Sequence, residues 1–167
     1  MYGEWSHCFV FLLSMAAAES MEATRSSTLK AIVYKDGQLS ILDQLKLPHE
    51  TVYLDINSAE EGAEAIRLMK VRGAPAIAIV AVLSVAVEIY KLLELCVWGG
   101  VCADAPPEIE STDAFTKFLR DRLAIVLKAR PTAVHVRNAV DELNALAKSQ
   151  ALNQSPTELA LWCVQYI

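Results

Sequence analysis

The first elements that the sequence predicts are strands, in which polar and apolar residues alternate. Residues 28–34 (TLKAIVY) and 38–42 (QLSIL) show this alternation on either side of Asp36-Gly37, a dipeptide typical of tight hairpin turns. Pro48 interrupts the pattern, and residues 51–56 (TVYLDI) resume it as a short β-rich run. The pattern therefore predicts a β-hairpin followed by a third short strand.

Beyond residue 57 the apolar spacing becomes that of helices. Asn57 or Ser58 and then Ser111 or Thr112 are suited to cap helices, and Pro75, Pro131 and Pro156 are suited to open them. The predicted helices span residues 59–71, 75–87, 112–128, 131–148 and 156–167. A Gly- and Pro-rich break occupies residues 96–107. The predicted fold class is therefore α+β and mostly α, with a three-stranded β-hairpin unit followed by a helical bundle.

The predicted helix over residues 75–87 is apolar on every face except at Ser84. Such a helix lies either in a protein core or in a membrane. We expect it to be too short to span a bilayer, because Glu88 and Lys91 close it. The sequence therefore predicts a central core helix, with Ile77, Val80 and Val85 buried.

Composition limits the classes of partner. The chain has 167 residues, of which 54% are hydrophobic and 21% charged, so it can build the core of one ordinary domain. Its formal net charge is −5, and its Lys and Arg residues are scattered singly. No basic patch for a nucleic-acid backbone results, and any anion that the chain binds is expected to be small. We expect neither a nucleic acid nor a membrane as a partner.

Four cysteines, Cys8, Cys96, Cys102 and Cys163, occur at irregular spacings without a Cys-x-x-Cys motif. This spacing argues against a metal site and favours free, reduced thiols.

The N-terminus has one feature of a secretory signal. Residues 9–15 are largely apolar and precede Ala16-Ala17-Ala18, but the residues before them contain Glu4 and neither Lys nor Arg. A secretory signal needs a basic start, so we favour an extension outside the folded domain. Residues 1–27 are expected to lack a fixed structure.

Two short segments share one physical plan that is suited to an anion. Arg72-Gly73-Ala74-Pro75 and Arg130-Pro131-Thr132 each place an arginine beside the start of a predicted helix. A helix start offers unpaired N–H groups and the positive end of the helix dipole, and a guanidinium adds a planar charge. Gly73 would let a ligand approach the backbone closely, and the Thr132 hydroxyl could donate to it. The pattern alone leaves open the alternative that each arginine is solvated or paired with a carboxylate.

Other candidate residues carry weaker signals. His135 lies one turn into the helix predicted from Pro131 and could face the same site, although a lone helical histidine is more often structural. Asp141 follows Arg137 by four residues, which predicts a helical ion pair. His49 follows a proline in a loop and indicates little. No nucleophile–histidine set, phosphate-binding Gly-rich loop or metal motif is present in the sequence.

Three segments resemble one family, the methylthioribose-1-phosphate isomerases. They are residues 38–48 (QLSILDQLKLP) with Val52-Tyr53 after them, residues 65–78 with the specific run MKVRGAPAI, and residues 129–134 (ARPTAV). The resemblance covers residues 28–150 in the right order. It implies that these residues form the N-terminal domain of the family, after which residues 151–167 are a divergent tail.

The resemblance also implies a function. The family converts S-methyl-5-thioribose 1-phosphate into the ribulose 1-phosphate in methionine salvage, without metal or other cofactor, usually as a homodimer. Its substrate-binding residues fall on Arg72, Gly73, Ala74 and Arg130. Its catalytic Cys and Asp lie in a C-terminal Rossmann-like domain beyond residue 167, so we expect this chain to be inactive alone. A cytoplasmic location, with the nucleus as a further possibility, also follows from the resemblance.

Two relatives of this family are alternatives: a non-catalytic regulatory subunit of the exchange factor for translation initiation factor 2, and ribose-1,5-bisphosphate isomerase. The intact Arg72-Gly73-Ala74-Pro75 segment together with Arg130 favours a sugar-phosphate binder over the regulatory subunit. The run Leu42-Asp43-Gln44 favours the methylthioribose branch. The chain departs from the family at His135, where the family usually has Asn, and in residues 96–105 and 162–167.

Overall fold

A computed structural model of the chain describes residues 29–95 and 106–167. The expected extension, residues 1–27, and most of the 96–107 break lie outside the described residues. The described strands are β1 (Ile32–Lys35), β2 (Gln38–Leu42) and β3 (Tyr53–Ile56). The described helices are α1 (Ala59–Arg67), α2 (Ala74–Leu93), α3 (Thr112–Ala129), α4 (Val134–Gln150) and α5 (Pro156–Tyr166). The α+β, mostly helical fold class is confirmed.

The three strands form one antiparallel sheet in the order β1-β2-β3. Asp36 and Gly37 connect β1 to β2 with positive φ angles of 49° and 75°, as expected for a two-residue hairpin turn. The turn lies against α2, because a Cβ atom added at Gly37 would be 2.2 Å from the Tyr90 ring. The central strand β2 turns Leu39 and Ile41 into the core.

Serine side chains cap the N-termini of three of the described helices. Ser58, Ser111 and Ser155 each accept a hydrogen bond from a backbone N–H in the first turn of the helix that follows. At α5, Glu158 also accepts from the Ser155 N–H and completes a capping box. These helix starts agree with those predicted from the sequence.

Helix α2 is the centre of the fold. It packs against all four other described helices and against β1 and β2. Ile77 is 3% exposed, and Val80 and Val85 are fully buried, which confirms the predicted core helix.

The predicted length of α2 is wrong, because the helix runs to Leu93 and not to Val87. Glu88 and Lys91 do not end it, since both find partners within the fold. Glu88 accepts from the Ala59 N–H, and the Lys91 ammonium donates to the Asn57 carbonyl. By length and composition alone, Ala74–Leu93 is the one helix among the described residues that could cross a membrane, and half of it is buried inside this fold. The length and composition of the helix would also suit a membrane, so it is its packing against the other helices and the sheet that places it in the core.

Helices α1 and α4 also differ from their predicted bounds. The first ends at Arg67 instead of Val71, and the fourth begins at Val134 instead of Pro131. Residues 131–133 form a turn, closed by the Ala133 N–H, which donates to the Arg130 carbonyl at 3.0 Å. Because a residue before proline is disfavoured in helical conformation, Arg130 leaves the helical region, with φ −149° and ψ 81°.

A polar network joins the first three helices. Glu88 of α2 accepts from the Ala59 N–H of α1 at 2.6 Å, and its second oxygen lies 3.1 Å from Nε of Arg122 in α3. That Nε–H is not aligned for a hydrogen bond, so the contact is electrostatic. Arg122 also pairs with Glu60 of α1 and lies over the Phe118 ring at 5.3 Å. The network ties α1, α2 and α3 together at a partly buried point.

Candidate anion-binding site

The chain leaves α1 through a tight turn that carries the first candidate arginine. The Met69 N–H donates to the Ile66 carbonyl at 3.1 Å, and the Lys70 N–H donates to the Ala65 carbonyl at 3.0 Å. This pair of bonds is a Schellman motif, which places the residue after the helix cap in the left-handed region. Met69 occupies that position with φ 59°. The turn fixes the direction in which the chain reaches Arg72.

Gly73 and the start of α2 form the first half of the predicted site. Gly73 has φ 92° and ψ 126°, a conformation that glycine adopts far more easily than other residues. The Ile77 N–H donates to the Gly73 carbonyl at 3.0 Å, and no side chain caps the helix start. Arg72, Gly73, Ala74 and Pro75 are all exposed. Because Pro75 has no N–H and the Ile77 N–H is already bonded, the donors that this helix start could offer a ligand are the N–H groups of Ala74 and Ala76.

The second half of the predicted site is the turn between α3 and α4. Arg130 is half-buried at its start, and the α4 start has no side-chain cap. The Arg137 guanidinium donates to the Pro131 carbonyl at 3.1 Å. The predicted Arg137–Asp141 ion pair is therefore wrong, because Arg137 reaches back to the turn and no described ion pair includes Asp141. Arg137 thus braces the backbone next to Arg130.

One side-chain contact joins the Arg130 turn to the turn that precedes Arg72. Nη1 of Arg130 donates to Sδ of Met69 at 3.1 Å, although the two residues are 61 positions apart in sequence. Met69 lies three residues before Arg72, so the fold brings Arg130 to the segment that carries the first arginine. Within residues 29–95 and 106–167, no ion pair includes Arg72 or Arg130. The positive charges of both arginines are therefore not neutralised by a described carboxylate, which weighs against the alternative in which a carboxylate pairs with each arginine.

A third segment supports this turn from the side of the sheet. The Gln44 N–H donates to the Lys70 carbonyl at 3.0 Å. Asp43 is 6% exposed and accepts from the Leu45 N–H at 3.0 Å. The residues after β2 therefore shape the loop that holds Lys70. This role of Asp43 and Gln44 was not predictable from the sequence, where they serve only as family markers, because it depends on a contact between segments that are distant in sequence.

The remaining candidates are dispersed or buried. His135 and Thr132 are exposed at the start of α4, and His49 is exposed in the loop after β2. Cys163 is buried in α5, where desolvation raises the pKa of its thiol to about 12. A buried thiol with so high a pKa is an unreactive structural residue. No group of metal-ligating side chains occurs in the described residues.

A pocket of about 370 Å³ lies at the opposite end of α2 and is lined by polar residues. Asp36, Asp55 and Glu94 contribute carboxylates, and Lys91 is the basic side chain among the lining residues. The excess of negative charge makes this pocket unsuited to a phosphate. The end of α2 that carries Arg72 is the better candidate for an anion site.

No model of a protein family matches the chain. Among curated proteins, it is 46% identical over 118 residues to a methylthioribose-1-phosphate isomerase of Nematostella vectensis, which covers 71% of the chain and 29% of the relative. It is 44% identical over 124 residues to the isomerase of Vitis vinifera, which covers 74% and 30%. The chain thus spans about 30% of the length of the curated relatives that it matches.

Two solved structures share the fold. One is 5-methylthioribose 1-phosphate isomerase from Pyrococcus horikoshii, with a TM-score of 0.67 and 25% identity over 84% of this chain and 35% of that one. The other is the delta subunit of translation initiation factor eIF-2B from A. fulgidus, with a TM-score of 0.54 and 26% identity over 83% and 36%. The fold is therefore one that sugar-phosphate isomerases and initiation-factor subunits both contain. Within that class, the sequence similarity is to curated methylthioribose-1-phosphate isomerases, at 41–46% identity over about 75% of this chain.

Proposed function

We propose that this chain is the N-terminal, substrate-binding part of an isomerase that converts S-methyl-5-thioribose 1-phosphate into S-methyl-5-thioribulose 1-phosphate. The observation that carries the proposal is the 3.1 Å contact between Arg130 and Met69, a residue three positions before Arg72. The isomerases named among the curated relatives support the reaction class. Homodimer formation by the whole enzyme is part of the same proposal.

The proposed ligand group is the phosphate. The start of α2 supplies backbone N–H groups and the positive end of a 20-residue helix. Arg72 and Arg130 add guanidinium groups that no described carboxylate neutralises. Bonds from arginine to phosphate are charge-assisted and often bidentate, so two of them would orient the sugar as well as bind it.

The isomerisation requires catalytic groups in addition to the residues proposed to bind the phosphate. The substrate carries phosphate on its anomeric oxygen, so its ring does not open as a free sugar does. Hydrogen transfer between C1 and C2 needs an acid or base placed in a pocket from which water is excluded. Because Arg72 to Pro75 are exposed, the described residues supply binding and leave proton transfer to groups elsewhere in the whole enzyme. The family resemblance assigns those groups to a Cys and an Asp of its C-terminal domain.

A non-catalytic role like that of the initiation-factor subunit is the alternative. Among solved structures, the initiation-factor subunit has a TM-score of 0.54 at 26% identity and the isomerase a TM-score of 0.67 at 25% identity, and curated isomerases reach 46% sequence identity. The comparison favours the isomerase.

Calorimetric titration of this chain with methylthioribose 1-phosphate measures the affinity and tests the proposal. Arg72→Ala and Arg130→Ala are each expected to weaken binding by about tenfold or more, because each removes a charge-assisted bond to the phosphate. Arg67→Ala is the matched control, since Arg67 is an exposed arginine of the same region that pairs with Glu64. Affinities of both site variants within twofold of the unchanged chain would contradict the proposal.

A further inference from the structure

Met69 is in an unusual conformation for its residue type. Its φ of 59° lies in the left-handed region, where a side chain strains the backbone and where helix-ending turns usually have glycine. The side chain is also 36% exposed, so it contributes little to the core. Neither the turn nor the core explains why a long side chain occupies this position.

The contact that the side chain makes is with a candidate binding residue. Sδ of Met69 accepts from Nη1 of Arg130 at 3.1 Å. A thioether sulfur is a weak, uncharged acceptor, whereas a guanidinium has five N–H donors. The contact therefore occupies one donor of Arg130 and leaves its charge and its other donors available. A carboxylate in the same place would neutralise the arginine, and a basic residue would repel it.

The backbone of Arg130 is held from the other side. Its carbonyl accepts from the Ala133 N–H at 3.0 Å, and Arg137 braces the next residue through the Pro131 carbonyl at 3.1 Å. These bonds hold the backbone, and neither of them involves the Arg130 guanidinium. Met69 is the described residue that restrains the guanidinium itself. Restraint before binding reduces the entropy lost when a ligand orders the side chain.

We propose that Met69 is a positioning residue, which holds the Arg130 guanidinium toward the start of α2 so that it meets the same anion as Arg72. This inference rests on the proposed function, because it assumes that Arg130 binds the phosphate of the substrate. The left-handed conformation of Met69 directs its side chain toward the turn that carries Arg130, 61 residues further along the chain.

The test uses this chain, inorganic phosphate as the probe and two substitutions of Met69. Met69→Leu keeps an apolar side chain of similar size but removes the acceptor, and Met69→Gln keeps an acceptor at similar reach. Leu68→Ala is the control, since Leu68 is an exposed apolar residue of the same turn. Phosphate affinity is measured by NMR titration. The Nε–H signal of Arg130 reports on the surroundings of its guanidinium in the absence of ligand. This signal is assigned by its loss in Arg130→Lys. Thermal unfolding shows that each variant is folded.

Met69→Leu is expected to shift the Arg130 signal and to weaken phosphate binding by about three- to tenfold, the range for loss of a modest hydrogen bond. Met69→Gln should restore affinity to within twofold of the unchanged chain, and Leu68→Ala should leave both readouts unchanged. A purely structural role would lower the unfolding temperature of Met69→Leu without changing its affinity, which would overturn the inference.

The phosphate titrations distinguish a failure of the positioning role from a failure of the proposed function. If the unchanged chain binds phosphate and Met69→Leu binds it equally well, the positioning role is wrong and the proposed site stands. If the unchanged chain does not bind phosphate, the proposed site fails and the positioning role fails with it.

Discussion

Gly37 and Gly73 both have positive φ angles, 75° and 92°, but their surroundings differ. A Cβ atom at Gly73 would meet nothing within 4 Å, whereas one at Gly37 would be 2.2 Å from the Tyr90 ring. Gly73→Ala should therefore add backbone strain alone and reduce the free energy of unfolding by about 1 to 2 kcal/mol. Gly37→Ala should reduce it further, because the turn must also move away from α2.

Urea unfolding of the two alanine variants checks this order. A Gly73→Ala variant that is the more destabilised of the two, or two variants as stable as the unchanged chain, would contradict the expected order.

At the scale of single residues, local chemistry was predictable and long-range contacts were not. Ser58, Ser111 and Ser155 were identifiable as caps, because a cap depends on the few residues that follow it. The role of Met69 was not predictable, since it depends on a left-handed turn and on Arg130, 61 residues away. The substrate-binding roles of Arg72 and Arg130 remain a prediction that the affinity measurements test.

Among the elements, α2 shows why a helix end can be misread. Charged residues usually end an apolar segment, but Glu88 and Lys91 have partners 29 and 34 residues away. Those partners lie at the start of α1, and only the packed fold brings them to the middle and end of α2. The start of the fourth helix was misread for a local reason: Pro131 is in a turn that Arg130 and Ala133 close.

The carboxyl of Glu88 makes the coupling between α1, α2 and α3 dependent on pH. Burial raises the pKa of Glu88 above its ordinary value, although the Ala59 N–H and Arg122 act in the opposite direction. The folded chain therefore binds this proton more readily than the unfolded chain. The contribution of Glu88 to stability is fully present below its unfolded pKa and is lost as the pH rises through its folded pKa.

Urea unfolding of the unchanged chain and of Glu88→Gln between about pH 4 and pH 7 measures this effect. The free energy of unfolding of the unchanged chain minus that of Glu88→Gln is expected to fall as the pH rises. Glu158→Gln is a control of opposite sign, because hydrogen bonds from the Ser155 backbone and side chain lower the pKa of Glu158. For Glu158 the corresponding difference should fall as the pH falls. A Glu88 difference that rises with pH would contradict the role of burial.

For the whole molecule, the sequence predicted a hairpin unit, a buried central helix and a bundle around it, and the structure confirms all three. These features follow from periodicity and from a helix that is apolar on nearly every face. The predicted site was found as two separate helix starts with similar sequences. The contact between Arg130 and Met69 could not be derived from periodicity, because it depends on how α1, α3 and α4 pack.

The same architecture predicts binding without turnover for these 167 residues. The residues at the start of α2 are exposed to water, and the Cys163 thiol is buried with a pKa of about 12, so neither offers a dry, placed acid or base. An assay of methylthioribose 1-phosphate conversion is expected to show no isomerisation by this chain. A full-length relative such as the Vitis vinifera isomerase is the positive control. Turnover near that of the control would show that a catalytic group within this chain has been overlooked.

A crystal structure of this chain with methylthioribose 1-phosphate tests the shared phosphate site most directly. Phosphate oxygens are expected within about 3 Å of the guanidinium groups of both Arg72 and Arg130, with at least one backbone N–H from the first turn of α2 donating to the same phosphate. A phosphate bound elsewhere on the chain, or held by only one of the two arginines, would contradict a site shared between these two helix starts.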